Sequence, residues 1–146
     1  LVMVNRYGAN SKMGIGFVKN FGLKEGAIAS SVCHDSHNIV GVGTSDKFLC
    51  KAVNLVIKNK GGLSIVSDEG EMELPLPVGG LMSNEYYPKI AKKYEYMEEK
   101  VKELGSELES PFMTLSFMGL TVIPELKITD EGLFDVEDSR YIDIFD

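Results

Sequence analysis

Two runs of apolar residues step through this chain at intervals of three and four. The first is Phe48, Leu49, Ala52, Val53, Val56 and Ile57; the second is Tyr87, Ile90, Tyr94, Met97, Val101 and Leu104. Such a period places every apolar side chain on one face only if the segment is helical. The other face of the second run is rich in Lys and Glu, so each helix has one side to bury and needs a partner layer. Short β-compatible runs on either side of the helices supply that layer.

These runs are Leu1 to Arg6, Ile15 to Phe21, Ala27 to Val32, Ile39 to Val42, Leu63 to Ser67 and Glu71 to Leu76, with Leu126 to Thr129 and Tyr141 to Phe145 near the end. Most are rich in β-branched or small apolar residues and are bounded by Gly, Asn, Asp or Pro. A polar loop is read from Tyr7 to Gly14. Met72, Leu74 and Leu76 alternate as one face of a half-buried strand, and Pro75 and Pro77 place its end at an edge. Thr44 or Ser45 is expected to cap the first helix, and Gly61 and Gly62 to end it. Ser83 is the candidate cap of the second helix, Pro88 belongs in its first turn, and Gly105 stops it. Ser110-Pro111 opens a short buried helix in the apolar stretch Phe112 to Val122. The expected architecture is therefore one α+β domain spanning residues 1–146. It has a mainly antiparallel sheet, two longer helices and one short buried helix, with helices on one or both faces of the sheet.

Charge divides unevenly. Residues 1–60 carry 8 Lys/Arg and 3 Asp/Glu, residues 61–146 carry 7 and 19, and the whole has a net charge of −7. An acidic chain without an Arg cluster argues against a phosphate-backbone binder, so no nucleic-acid partner is expected. No apolar run approaches the roughly 20 residues of a membrane span. No secretory signal pattern is visible, and a cytoplasmic location is the expectation. Without that signal, Cys33 and Cys50 are expected as two buried thiols rather than a disulfide.

The densest set of reactive groups is His34-Asp35-Ser36-His37-Asn38, between two β runs. It holds both histidines of the chain, a carboxylate, a hydroxyl and an amide. A His beside an Asp can act as an oriented acid–base group near neutral pH. Two His three residues apart plus an Asp can ligate a metal. The same residue types also satisfy backbone groups in structural turns. The spacing leaves all three readings open. Gly14-Ile15-Gly16 and Gly41-Val42-Gly43 lack the third glycine of a dinucleotide fingerprint, and the second is read as turn geometry. Ser30 and Ser31 lie in no Gly-x-Ser-x-Gly elbow.

The run Gly26-Ala27-Ile28-Ala29-Ser30-Ser31-Val32-Cys33-His34-Asp35-Ser36-His37-Asn38-Ile39 closely resembles the C-terminal domain of the bacterial and archaeal type of adenine deaminase. Gly16 to Leu23, Gly61-Gly62-Leu63, Glu73 to Ser83, Pro111 to Phe117 and Val122 to Leu126 fit the same family in the same order. Cys33 stands where the family suggests a smaller residue such as Ala. The resemblance implies a piece of an amidohydrolase-superfamily enzyme that converts adenine to hypoxanthine and ammonia in purine salvage. Its manganese or iron would sit in a preceding barrel domain, the implied partner, and no metal or catalytic residue is expected in these residues themselves. Homo-oligomerisation is the further expectation. The substrate-binding candidates it implies are His34, Asp35, His37 and Asn38. The alternative is a stand-alone, non-enzymatic module that binds a purine, a metal or a partner.

Overall fold

The computed structural model describes residues 1–8 and 12–145; positions 9–11 of the polar loop read after Arg6 lie outside the described residues. The elements run β1 (Val2–Val4), β2 (Met13–Ile15), β3 (Ala27–Ser30), β4 (Ile39–Gly43), α1 (Asp46–Lys58), β5 (Gly62–Ser67), β6 (Gly70–Pro75), α2 (Tyr87–Glu103), α3 (Pro111–Phe117), β7 (Leu126–Thr129), β8 (Gly132–Asp135) and β9 (Arg140–Ile142). The described elements form an α+β fold with antiparallel pairing. β1 to β6 make one sheet in the order β2-β1-β4-β3-β5-β6, and β7-β8-β9 make a second.

Helices cover both faces of the large sheet. Ala27, Ala29, Ile39 and Val66 point to one face and meet Leu49, Ala52, Val53 and Val56 of α1. Ile28, Val40, Val42, Leu63 and Ile65 point to the other, where Met97, Val101, Phe112 and Leu115 of α2 and α3 close the core. The small residues of β3 let α1 approach closely. Gly41 serves the same purpose inside β4, where a Cβ would lie 3.0 Å from Leu49 Cδ1, and Gly43 makes room for the neighbouring strand, where a Cβ would lie 2.5 Å from Ala27 Cβ. They are packing residues within a strand, which corrects the turn read for them.

Ser45 caps α1, its side chain accepting from the Phe48 N–H. The helix closes at Asn59, with Lys60 and Gly61 at positive φ, and Gly62 already belongs to β5. Ser83 does not cap α2. Tyr86 is its N-cap without a side-chain bond, Pro88 sits in the first turn, and Ser83 Oγ instead accepts from the Glu85 N–H at 3.1 Å. Proline has no N–H to leave unpaired, so this start has one fewer donor to satisfy. The strand read over Ile15 to Phe21 is confined to Met13–Ile15. Asn20 (φ 61°) and Gly22 (φ 87°) turn the chain out of extended geometry and deliver Phe21 to the core.

The small sheet seats its β7–β8 turn on β2. A Cβ at Gly14 would stand 1.9 Å from the Thr129 carbonyl oxygen, and one at Gly16 would stand 2.9 Å from Leu133 Cδ2. Only a glycine lets the two backbones come this close. Ile128 anchors the sheet in the main core, and its N–H donates to the Met118 carbonyl at 2.9 Å.

Candidate functional site

The His34–Asn38 segment connects β3 to β4 at one end of the large sheet. The His37 N–H donates to the Cys33 carbonyl at 2.8 Å and closes the turn. His37 itself lies at φ 53°. This left-handed region is several-fold enriched in His and Asn among residues with a side chain. The His34 N–H donates to the Ser116 carbonyl at 3.0 Å, which ties the segment to α3.

Arg6 and Asp130, far away in sequence, hold the loop from outside, and Asn5 braces Asp130. Arg6 Nε donates to the His37 carbonyl at 2.5 Å, and Arg6 Nη2 donates to the Gly79 carbonyl at 2.5 Å. The guanidinium also lies 5.0 Å from the ring centre of Tyr7. Asp130 accepts from Asn38 Nδ2 at 3.2 Å through one oxygen and from Asn5 Nδ2 at 2.7 Å through the other. Asn38 Oδ1 accepts from the Arg6 backbone N–H at 3.4 Å. Asn38 is only 3% exposed and works from beneath the loop. Arg6, Asn5 and Asp130 were invisible to sequence reasoning. Asp130 is 92 residues from Asn38 and 125 from Asn5, and no local pattern marks such a pairing.

Cys33 supports the loop from below. Its Sγ lies 3.9 Å from Met3 Sδ and accepts from Ser36 Oγ at 3.9 Å. Burial pushes this thiol up to about 11, against the opposing effect of the Ser36 hydrogen bond. It is a protonated packing group at neutral pH, not a nucleophile. Gly119 makes room for it, since a Cβ there would lie 2.6 Å from the sulfur. Cys50 is exposed on α1, which corrects the pair of buried thiols expected from sequence. It falls on the helix face opposite Ala52, Val53 and Val56. Both thiols are free.

The two imidazoles are treated differently from the rest of the loop. Among the described residues neither ring makes a hydrogen bond. His34 stacks on Phe117, ring centres 4.9 Å apart and planes 27° apart. His37 Nδ1 is shielded from solvent and has no partner. The exposed Asp35 and Ser36 line a cavity of about 400 Å³ together with Thr121, Asp130, Phe134 and Tyr141. The structure thus gathers all four candidate residues in one turn but does not join the Asp35 carboxylate to either imidazole.

No three His, Cys, Asp or Glu side chains among the described residues converge as metal ligands do. The donors of this loop therefore do not form a metal site by themselves. No helix among the described residues is long and apolar enough to cross a membrane.

A sheet covered on both faces, with one connector held rigidly and its imidazoles left unpaired, defines a scaffold that presents a polar loop. The sequence matches the adenine deaminase C-terminal domain over residues 1–140, and the chain belongs to that family. It is 52% identical over 144 residues to an adenine deaminase of Borreliella afzelii, 51% identical over 145 residues to one of Methanosarcina acetivorans, and 50% identical over 146 residues to one of Salinibacter ruber. These matches cover 98–99% of this chain but only 26–27% of each relative. The chain spans about a quarter of the length of the curated relatives it matches.

Proposed function

We propose that this chain is the C-terminal domain of an adenine deaminase and that its β3–β4 loop completes an active site whose remainder lies in a preceding domain. The reaction is hydrolysis of adenine to hypoxanthine and ammonia, a cytoplasmic purine-salvage step. In this reading the loop's own residues bind and orient the base. His34 and His37 offer ring nitrogens that can donate to or accept from a purine edge or carry a proton. Asp35 is an exposed carboxylate whose oxygens can accept from an amidine N–H. Asn38 holds the turn in place from beneath. The metal, manganese or iron, belongs to the preceding barrel.

One observation carries this reading. The backbone of the loop and the Asn38 amide are engaged by Arg6, Asp130 and Cys33, yet among the described residues neither imidazole makes a hydrogen bond, and His37 Nδ1 is shielded from solvent as well. A shielded, unpaired polar nitrogen is costly, and a purely structural turn gains nothing by keeping one. The test is steady-state kinetics of His37→Ala and His34→Ala in the full-length protein. Loss of a substrate hydrogen bond should lower kcat/KM by about 10–100-fold, with folding intact. Unchanged kcat and KM in both variants would overturn the reading.

A further inference from the structure

An apolar groove of about 370 Å³ opens where the chain enters the large sheet. It is lined by Leu1, Phe17, Phe117, Ile123, Leu126 and Leu133, among others. Several of these are large side chains left open to water: Phe17 is 81% exposed, Leu126 50%, Ile123 44% and Phe117 40%. Contiguous exposure of this kind marks an interaction surface. Three observations say what covers it. The family to which the chain belongs is a C-terminal domain, and about three quarters of each relative lies outside the match. A C-terminal domain meets the rest of its protein from its N-terminal side, and Leu1, on that side, is itself a wall of the groove. Finally, the groove is continuous with the candidate site, because its Phe117 is the ring on which His34 stacks.

We propose that this groove is the docking surface for the preceding domain of the full-length protein, and that Phe117 places His34 at the boundary between the two domains. Phe17 and Ile123 are the apolar anchors. Phe17 is free to serve as one because it lies just past the end of β2 with its side chain open to water. Lys127 belongs to the same rim. Its amine donates to the carbonyls of Pro124 and Leu126 and is held below its ordinary range by burial, opposed by Glu125. The inference rests on the proposed function only for the existence of a preceding domain. It does not require the loop to touch adenine.

The test uses the full-length protein. Phe17→Cys is labelled with a soluble maleimide, and the native Cys50 on the exposed side of α1 is the reference thiol. Docking predicts labelling at position 17 about ten-fold slower than at Cys50 or slower still, since reaction requires transient opening. Equal rates would overturn the proposal. So would slow labelling that becomes fast on dilution of the intact chain, because the occupant would then be a second copy. Hydroxyl-radical footprinting of the unsubstituted protein guards against a variant that prevents docking. Phe17 and Ile123 should be oxidised less than Ile57, which is 51% exposed on α1. Oxidation in line with the exposures seen here would contradict docking. An unchanged turnover in His37→Ala together with a protected Phe17 would sink the loop's substrate role and leave the interface standing.

Discussion

The two sheets of this domain are held in different ways. In the large sheet every residue of β3 is buried, and the strand contributes side chains to two cores at once. In the small sheet Ile128 alone is fully buried in a core, Leu133 packs against that core half-buried like the rest of β8, and Arg140 and Tyr141 of β9 are exposed. The large sheet is stabilised by apolar burial. The small one is held by close backbone contact at Gly14, by the Asp130 carboxylate and by the Phe134–Tyr141 pair, ring centres 5.3 Å apart. The β3–β4 loop draws on both: its ends and the Arg6 clamp, which follows β1, belong to the robust sheet, and the Asp130 clamp belongs to the weaker one. Stability and loop order should therefore come apart under mutation.

The largest effect belongs to the core. Ile28→Ala removes a fully buried side chain from the centre of the main core and should cost about 2–5 kcal/mol in urea denaturation. Leu133→Ala, at a half-buried position, should cost clearly less, and an equal loss would erase the contrast between the sheets.

Alkaline pH probes the seam beneath the loop. Cys33 titrates at about 11 in the folded chain against 9.0 ordinarily, because burial disfavours the thiolate. Between those values the unfolded chain gives up its proton first, so stability falls as pH rises. The loss amounts to about 2–3 kcal/mol by pH 11 and is absent below pH 9. Tyr94 adds to the fall at higher pH, its phenol raised by burial and by its bond to Glu98. Urea midpoints of Cys33→Ala from pH 8 to 10 should be flatter than those of the parent chain; parallel slopes would remove Cys33 as the cause.

Asp130→Ala leaves the amides of Asn5 and Asn38 without their acceptor. A loss of about 1–3 kcal/mol is expected. Hydrogen exchange should quicken in the 34–38 loop and the small sheet while β3 and β5 keep their protection. Uniform quickening would mean that the two sheets unfold as one unit. Gly14→Ala should give the same exchange pattern through a clash rather than a lost bond. The smallest effect is that of Lys12→Ala. Its partner Glu131 lies on the small sheet, but both side chains are largely exposed, and the denaturation midpoint should not move.

The same contrast decided what the sequence revealed. β3, β4, β5, α1 and α2 carry apolar runs or periods that mark each of them as an element, and the hairpin-like turns between strands point to antiparallel pairing. The strand order β2-β1-β4-β3-β5-β6 is set by tertiary contact and is not legible in the sequence. The small sheet has no such period. Gly132–Asp135 is four residues set among acidic neighbours, and β8 went unread. Tyr141 to Phe145 was read as a strand, yet only Arg140–Ile142 pairs. The loop was found because five reactive side chains crowd between two clear strands. Its clamp was not, because Arg6 and Asp130 meet it, and Asn5 braces Asp130, only through tertiary contact. Cys50 misled for a related reason: the residue type predicts burial, but its position on the helical period places it outside.

In the proposed function the clamped loop presents His34 and His37 to adenine. The most direct test of this is chemical protection in the full-length protein. Diethyl pyrocarbonate modifies accessible imidazoles, and mass spectrometry can follow the peptide that carries both His34 and His37. If the rings contact the base, adenine at ten times its dissociation constant should slow modification of that peptide by about ten-fold. Modification at the same rate with and without saturating adenine would contradict the account.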